Sequence, residues 1–278
     1  MRLAISNIAW DVVEDEDVAK LLNRFGVNAI DIAPGKYFPE PTQATDEDIC
    51  RVKDWWAERG IEITGMQALL FGTSGLNVFG STDTQAALLK HLDAVCRIGE
   101  VLGATRVVFG SPKNRDRSGL KDEEALQVAI PFFRQLGDIA QHRGVTICLE
   151  PNPECYGANF MTATAETASV VTQVAHPAIR MQLDTGAVTI NKEEVQAILE
   201  QHAELIGHVH ASEPDLLPLG EGGTAHAEMA AAVARYLPNH VVSIEMVATK
   251  NEPHLISIER SLQMAVQHYR MAEVEVGR

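Results

Sequence analysis
The chain has 278 residues, 46% hydrophobic and 5% aromatic, with 23 Lys and Arg against 38 Asp and Glu for a formal charge of −15. That composition builds an ordinary globular core. The charge argues against nucleic acid or an anionic membrane surface as partner, because both are held through clustered Lys and Arg. Cys50, Cys96, Cys148 and Cys155 form no CxxC pair, and Cys148 lies in an apolar run as a small buried thiol would. Met1-Arg2 leads into LAISNIAW without the longer apolar core of a signal peptide, and no window approaches a membrane-spanning length, so a cytoplasmic protein is expected.

Eight short β-rich runs follow one another: LAISNI, NAIDIAP, IEITGMQAL, RVVFGSP, VTICLEPN, IRMQLDT, LIGHVHAS and VVSIEMV. Segments with helical spacing separate them. Thr45 caps DEDICRVKDWW, in which one of Trp55 and Trp56 is expected to pack inward while the pair offers a patch for homo-oligomer formation. The glycine-bearing stretch Phe71 to Gly80 reads as a flexible lid or a solvated linker. Ser81 or Thr82 opens a helix over Asp83 to Leu102, carrying Leu88, Leu92, Val95 and Ile98; a second long helix covers Asp122 to His142; Thr162 or Thr164 caps AETASVVTQV.

Eight strand-helix alternations with no Pro/Gly/Ser-rich linker predict one domain over 1–278, a single (β/α)8 TIM barrel of the α/β class. The alternative, a doubly wound sheet, would usually show a glycine-rich phosphate turn after its first strand. ISNIAWDV has no glycine there, and GTSGLNVFG after the third run lacks the spacing.

Active sites of such barrels lie at the C-terminal strand ends, and alternate strand residues point inward. Four runs end in metal-binding side chains at inward positions: Glu150 beyond Cys148, Asp184 beyond Gln182, His210 beyond His208, and Glu245 beyond Ser243. A lone Asp or Glu after a strand is ordinarily a cap or a turn residue; four with matching parity predict a metal site. Asn7, Asp31, Gln67 and Ser111 place further polar groups at the ends of the earlier strands, and Asn152 follows Glu150 in LEPNP. Of these, Asn7, Gln67, Ser111 and Asn152 are candidate substrate-binding residues. His208 sits one step deeper than His210 and suits a supporting or substrate-side role, while His226 is a remote pocket candidate.

Three carboxylates and one imidazole without a thiolate favour one divalent ion, Mn2+, Mg2+ or Co2+, with Zn2+ as the alternative. Glu150 and Glu245 come from separated strands and can flank a small sugar or polyol on its two faces. One would remove a carbon-bound proton and the other return it, through a metal-stabilised enediolate. The turn Ser111-Pro112-Lys113-Asn114-Arg115 offers two cations at the mouth, and Lys113 or Arg115 would bind a carboxylate or phosphate; the alternative is a solvated basic loop.

With LEPNP, QLDTG, GHVHASEP and SIEMV in place, the chain resembles the xylose-isomerase-like TIM barrel superfamily over nearly its whole length. That group includes ketose 3-epimerases, inosose and dehydroshikimate dehydratases and a DNA-repair endonuclease of the AP endonuclease family 2 type. The resemblance to ketose 3-epimerases implies that Glu150, Asp184, His210 and Glu245 hold the metal, that the two glutamates are the acid/base pair, and that Glu213 is the site glutamate following the ligand histidine. Leu219-Gly220-Glu221-Gly222 looks like the loop after it. The chain departs from that pattern at Ala187 and Leu216, where a substrate-contacting histidine and arginine usually stand.

The resulting expectation is a metal-dependent isomerase or epimerase. The alternatives are a metal-dependent dehydratase of a keto-cyclitol or dehydroshikimate-like acid, and a non-catalytic metal- or sugar-binding barrel. The endonuclease reading fails on charge.

Overall fold
The eight runs form eight strands in this computed structural model, which describes residues 1–270; the end of the expected 1–278 domain lies outside the described residues. They are β1 (Arg2–Ser6), β2 (Ala29–Ile32), β3 (Glu62–Met66), β4 (Arg106–Phe109), β5 (Thr146–Leu149), β6 (Ile179–Asp184), β7 (Ile206–Ser212) and β8 (Val241–Glu245). Nearly every strand residue is buried, as parallel strands must be when helices cover one face and a packed barrel interior fills the other. All neighbours pair in parallel in chain order, and β1 closes the ring on β8 with Ile5 opposite Ile244. The result is a single (β/α)8 TIM barrel.

The outer ring comprises α1 (Asp15–Arg24), α2 (Asp46–Ala57), α3 (Thr82–Leu102), α4 (Asp122–His142), α5 (Thr164–Val174), α6 (Thr185–Asn191), α7 (Val195–His202), α8 (His226–Tyr236) and α9 (His254–Ala265). Among the described residues, no helix is long and apolar enough to cross a membrane. Thr45 and Ser81 cap α2 and α3 as expected, their hydroxyls accepting from Asp48 N and Thr84 N at 3.2 Å. The cap of α5 differs from both expected residues. Ala163 occupies that position, Thr164 is already helical, and the Thr164 N–H is satisfied from outside the segment by Glu193 Oε1 at 3.0 Å. A tertiary partner thus replaces the local side chain, which adjacent sequence cannot reveal.

Trp56 is fully buried and stacks edge-on against Trp10, while Trp55 lies half-buried beneath the Arg59 guanidinium, 3.6 Å from its ring centre. The Phe71–Gly80 stretch is tied to the turn after β4. Val78 N donates to the Asn114 carbonyl and Asn114 Nδ2 to the Leu76 carbonyl, both at 2.8 Å, and Asn77 Nδ2 bonds the Asp116 carbonyl at 2.8 Å. Phe71 itself is 83% exposed.

The barrel interior has a polar layer beneath the strand ends. Asp31 Oδ2 pairs with His208 Nε2 at 2.7 Å, and Asp31 Oδ1 accepts from Thr64 Oγ1 at 3.1 Å, with neither Asp31 nor His208 more than 2% exposed. Space for Asp31 comes from Gly65, where the β2–β3 register slips: a Cβ there would stand 2.5 Å from Asp31 Oδ1 and 3.1 Å from the Arg106 carbonyl. Gly65→Ala should therefore lower stability by about 1–3 kcal/mol through overpacking against an atom that cannot retreat, read as a reduced denaturation midpoint with an unchanged slope.

Candidate active site
The strand ends bring four residues from four elements to one point. Asp184 and His210 lie in β6 and β7, Glu245 ends β8, and Glu150 follows β5 by one residue. Each is 0–8% exposed, and one donor atom from each lies within 4.8 Å of the others. His210 Nδ1 sits at the centre, 3.3 Å from Glu150 Oε1, 3.3 Å from Glu245 Oε2 and 4.0 Å from Asp184 Oδ2. Gly110 permits the Glu150 position, because a Cβ at residue 110 would overlap Glu150 Oε2.

Burial, then the charges of Glu245 and Glu150, push the Asp184 carboxyl well above the usual carboxylate range. Burial disfavours a charged His210, yet Glu245 and Glu150 outweigh it and raise the imidazole well above its ordinary value. Burial likewise opposes ionisation of Glu245, but His210 wins and lowers it. Three carboxylates this close repel unless positive charge is shared among them. A proton on the imidazole serves that purpose, and a divalent cation among the same oxygens would serve it better. The donor set therefore fits a metal ion: these four buried residues are able to hold one.

Supporting groups orient each of the three carboxylates. Ser212 Oγ donates to Asp184 Oδ2 at 2.8 Å while accepting from Gly186 N at 2.8 Å, and Ala187 N donates to Asp184 Oδ1 at 2.6 Å. Gln67 Nε2 donates to Glu245 Oε1 at 2.6 Å, and Asn152 Nδ2 to Glu150 Oε2 at 3.3 Å. Each glutamate is thus held by one side-chain amide. Ser212 is absent from the sequence-derived candidates, although it shares the inward parity of His208 and His210; a serine carries no distinctive signal by itself.

The other candidates separate. Asn7 Oδ1 accepts from Ala33 N at 2.7 Å and leaves Nδ2 buried without a partner, as is Gln67 Oε1. Ser111 Oγ bonds Asn114 Oδ1 at 2.6 Å, shaping its own turn. Lys113 is exposed, with Nζ 3.3 Å from the Thr73 carbonyl, whereas Arg115 is fully buried. The pair therefore does not form the single solvated basic loop that their adjacency allowed. At the positions departing from the epimerase pattern, the Leu216 carbonyl accepts from Val247 N at 3.0 Å and the Ala187 N–H braces Asp184.

Glu213 lies in a buried chain. Its carboxylate accepts from Gly220 N at 2.6 Å, Thr224 N at 2.8 Å and His226 Nε2 at 3.1 Å, and His226 Nδ1 lies 2.9 Å from Tyr269 Oη. Burial alone would raise this carboxyl, but His226 and the two backbone amides outweigh it and hold it at about 2. Glu213 thereby fixes the Pro214–Thr224 segment behind the metal-type cluster.

Fold and site together define a TIM barrel with an acid-and-histidine cluster at its C-terminal mouth. The chain belongs to the xylose isomerase-like TIM barrel family, whose model matches residues 19–265. Among solved structures it is similar to a D-psicose 3-epimerase with D-tagatose from Clostridium cellulolyticum H10, at 18% identity, TM-score 0.80, covering 98% of this chain and 99% of that one. It is similar to an L-ribulose 3-epimerase at 16% identity, TM-score 0.81, covering 99% and 96%. A 3-keto-D-glucoside 4-epimerase from E. coli aligns at 15% identity, TM-score 0.78, covering 96% and 98%. No match is found among curated protein sequences.

Ser212→Ala should weaken divalent-ion affinity by about 10-fold, because Asp184 loses the bond that orients it; titration calorimetry with Mn2+ measures this. Glu213→Gln should cost about 2–3 kcal/mol at pH 7. The sign follows from the depressed value: ionised Glu213 stabilises the fold above its ordinary 4.5, and the contribution fades as pH falls toward about 2. Denaturation of parent and variant across that window should converge.

Proposed function
We propose that the protein is a divalent-metal-dependent sugar isomerase or epimerase acting on a ketose-like substrate by proton transfer between two glutamates. The observation that carries this reading is the convergence of Glu150 and Glu245, from strands separated around the barrel, on the same His210 Nδ1, each at 3.3 Å. Family membership and the fold shared with sugar epimerases support it.

The metal ligands are Glu150, Asp184, His210 and Glu245, with Mn2+, Mg2+ or Co2+ preferred for a mainly carboxylate set. When bound, such an ion supplies Lewis-acid stabilisation of negative charge on the substrate carbonyl and hydroxyl oxygens. One glutamate removes the proton on the carbon beside the carbonyl, and the other delivers a proton to the opposite face, which inverts that centre. Gln67 and Asn152 occupy one oxygen of Glu245 and Glu150 with amide N–H groups, so the remaining oxygen of each faces the site. The unpartnered Nδ2 of Asn7 donates to a substrate hydroxyl. Buried Asp31 and His208 support His210 from below, the His208 ring standing edge-on to the His210 ring with centres 5.3 Å apart. On this reading the substrate is a small-molecule sugar or polyol and the protein acts in the cytoplasm.

The test is proton NMR in D2O with Mg2+ over a panel of ketoses, keto-inositols and dehydroshikimate. Deuterium entering beside a carbonyl together with a new stereoisomer or aldose is the expected result, and Glu245→Gln should reduce the rate by about 100-fold or more. A new vinyl signal would replace this reading with a dehydratase. Unchanged exchange in Glu245→Gln would remove the glutamate from the reaction.

A further inference from the structure
Arg115 closes the 3-10 turn Pro112–Arg115 that follows β4, and its side chain has no exposed surface. Its Nε, Nη1 and Nη2 all lack a hydrogen-bond partner. The carboxylates whose charges act on it, Glu150 and Glu166, form no hydrogen bond to it, and one oxygen of each is taken elsewhere: Glu150 Oε2 by Asn152 Nδ2, and Glu166 Oε2 by Thr162 N at 2.8 Å and Thr162 Oγ1 at 3.2 Å. A guanidinium carries five N–H donors in a planar fork, and an uncompensated buried charge is strongly disfavoured. The turn that holds it is stiff, with Ser111 and Asn114 bonded to each other and Asn114 bonded to the Phe71–Gly80 stretch.

The surroundings indicate what would complete this group. Within a chain of net charge −15, and within reach of the charge of Glu150 in the acidic cluster, Arg115 is a buried cation with spare donors on the turn that follows β4. Exposed Lys113 on the same turn supplies a second positive charge on the approach. Ala187 and Leu216 offer no polar side chain to a neutral sugar.

We propose that Arg115 is a specificity-determining residue that receives an oxyanion of the substrate, a carboxylate or phosphate monoester on a carbon beyond the reacting pair. This rests on the isomerase reading of the same site and narrows its substrate to acidic sugars. Because the guanidinium has no exposed surface, the segments packed over it must move for the anion to reach it.

The experiment compares D-tagatose, D-tagaturonate and D-fructose 6-phosphate on the full-length, Mg2+-loaded protein. Isotope exchange reads turnover, and the shift in melting temperature reads binding independently of turnover. At least one anionic sugar should exceed D-tagatose by about 10-fold or more in kcat/KM; whichever of the two does so identifies carboxylate or phosphate. Arg115→Met should remove that advantage chiefly through KM, and Arg115→Lys, which keeps the charge without the fork, should retain part of it. If Arg115→Met does not fold, a reduced anion-to-neutral ratio in Arg115→Lys carries the same conclusion. A neutral sugar preferred by the parent protein, or an anion preference that survives in both variants, would overturn the assignment. An anion-specific melting shift that depends on Arg115, without exchange on any sugar, would support the anion site and overturn the isomerase reading.

Discussion

Three carboxylates crowd one imidazole at the mouth of the barrel, and much of the neighbouring structure exists to make that crowding tolerable. Like charges at this separation raise one another's proton affinity, which is why Asp184 is driven up and His210 is held as the compensating cation. The arrangement survives because each carboxylate is fixed from outside the cluster: Asp184 by Ser212 and the Ala187 amide, Glu245 by Gln67, Glu150 by Asn152. A set of ligands held apart from collapse, yet close enough to share one charge, is preorganised for a cation.

Beneath the mouth, the barrel interior continues the same logic. A wholly apolar interior would give His210 no polar neighbour below it, whereas here Asp31 and His208 form a buried hydrogen-bonded pair. Burial opposes ionisation of Asp31, and His208 more than restores it, holding the carboxyl below its ordinary range. Gly65 and the register slip between Ile30 and Asp31 make room for this pair. The glycine, the register slip and the buried Asp31–His208 bond are one feature seen at three levels.

The loops differ in how completely their polar groups are satisfied. Around Glu213 every acceptor has a donor, and the chain through His226 to Tyr269 ties the segment after β7 to the last helical turn, Val266–Arg270. Around Arg115 the reverse holds, since a fully buried guanidinium has no partner of its own. A saturated network resists change, and an unsaturated one is completed from outside. The first therefore serves as a frame, and the second has donors still to be met.

Much of this was legible in the residues. Period-two alternation in TICLEP, MQLDT, HVHAS and VVSIE set the inward face of four strands, and the strand-helix count set the barrel, because both depend on local periodicity and on a geometry that all such barrels share. The convergence of Glu150, Asp184, His210 and Glu245 followed from that parity. The depth of Arg115, two residues from exposed Lys113 in one turn, did not, and neither did the replacement of a local α5 cap by Glu193 or the bond from Ser212 to Asp184. These depend on which side chains from distant segments meet, and on how burial changes the cost of leaving a donor or a charge unpaired. Sequence by itself determined which residues line the mouth; only the tertiary structure decided which of them are satisfied and which still lack a partner, because hydrogen bonding and desolvation are properties of packed neighbours and not of the chain's local pattern.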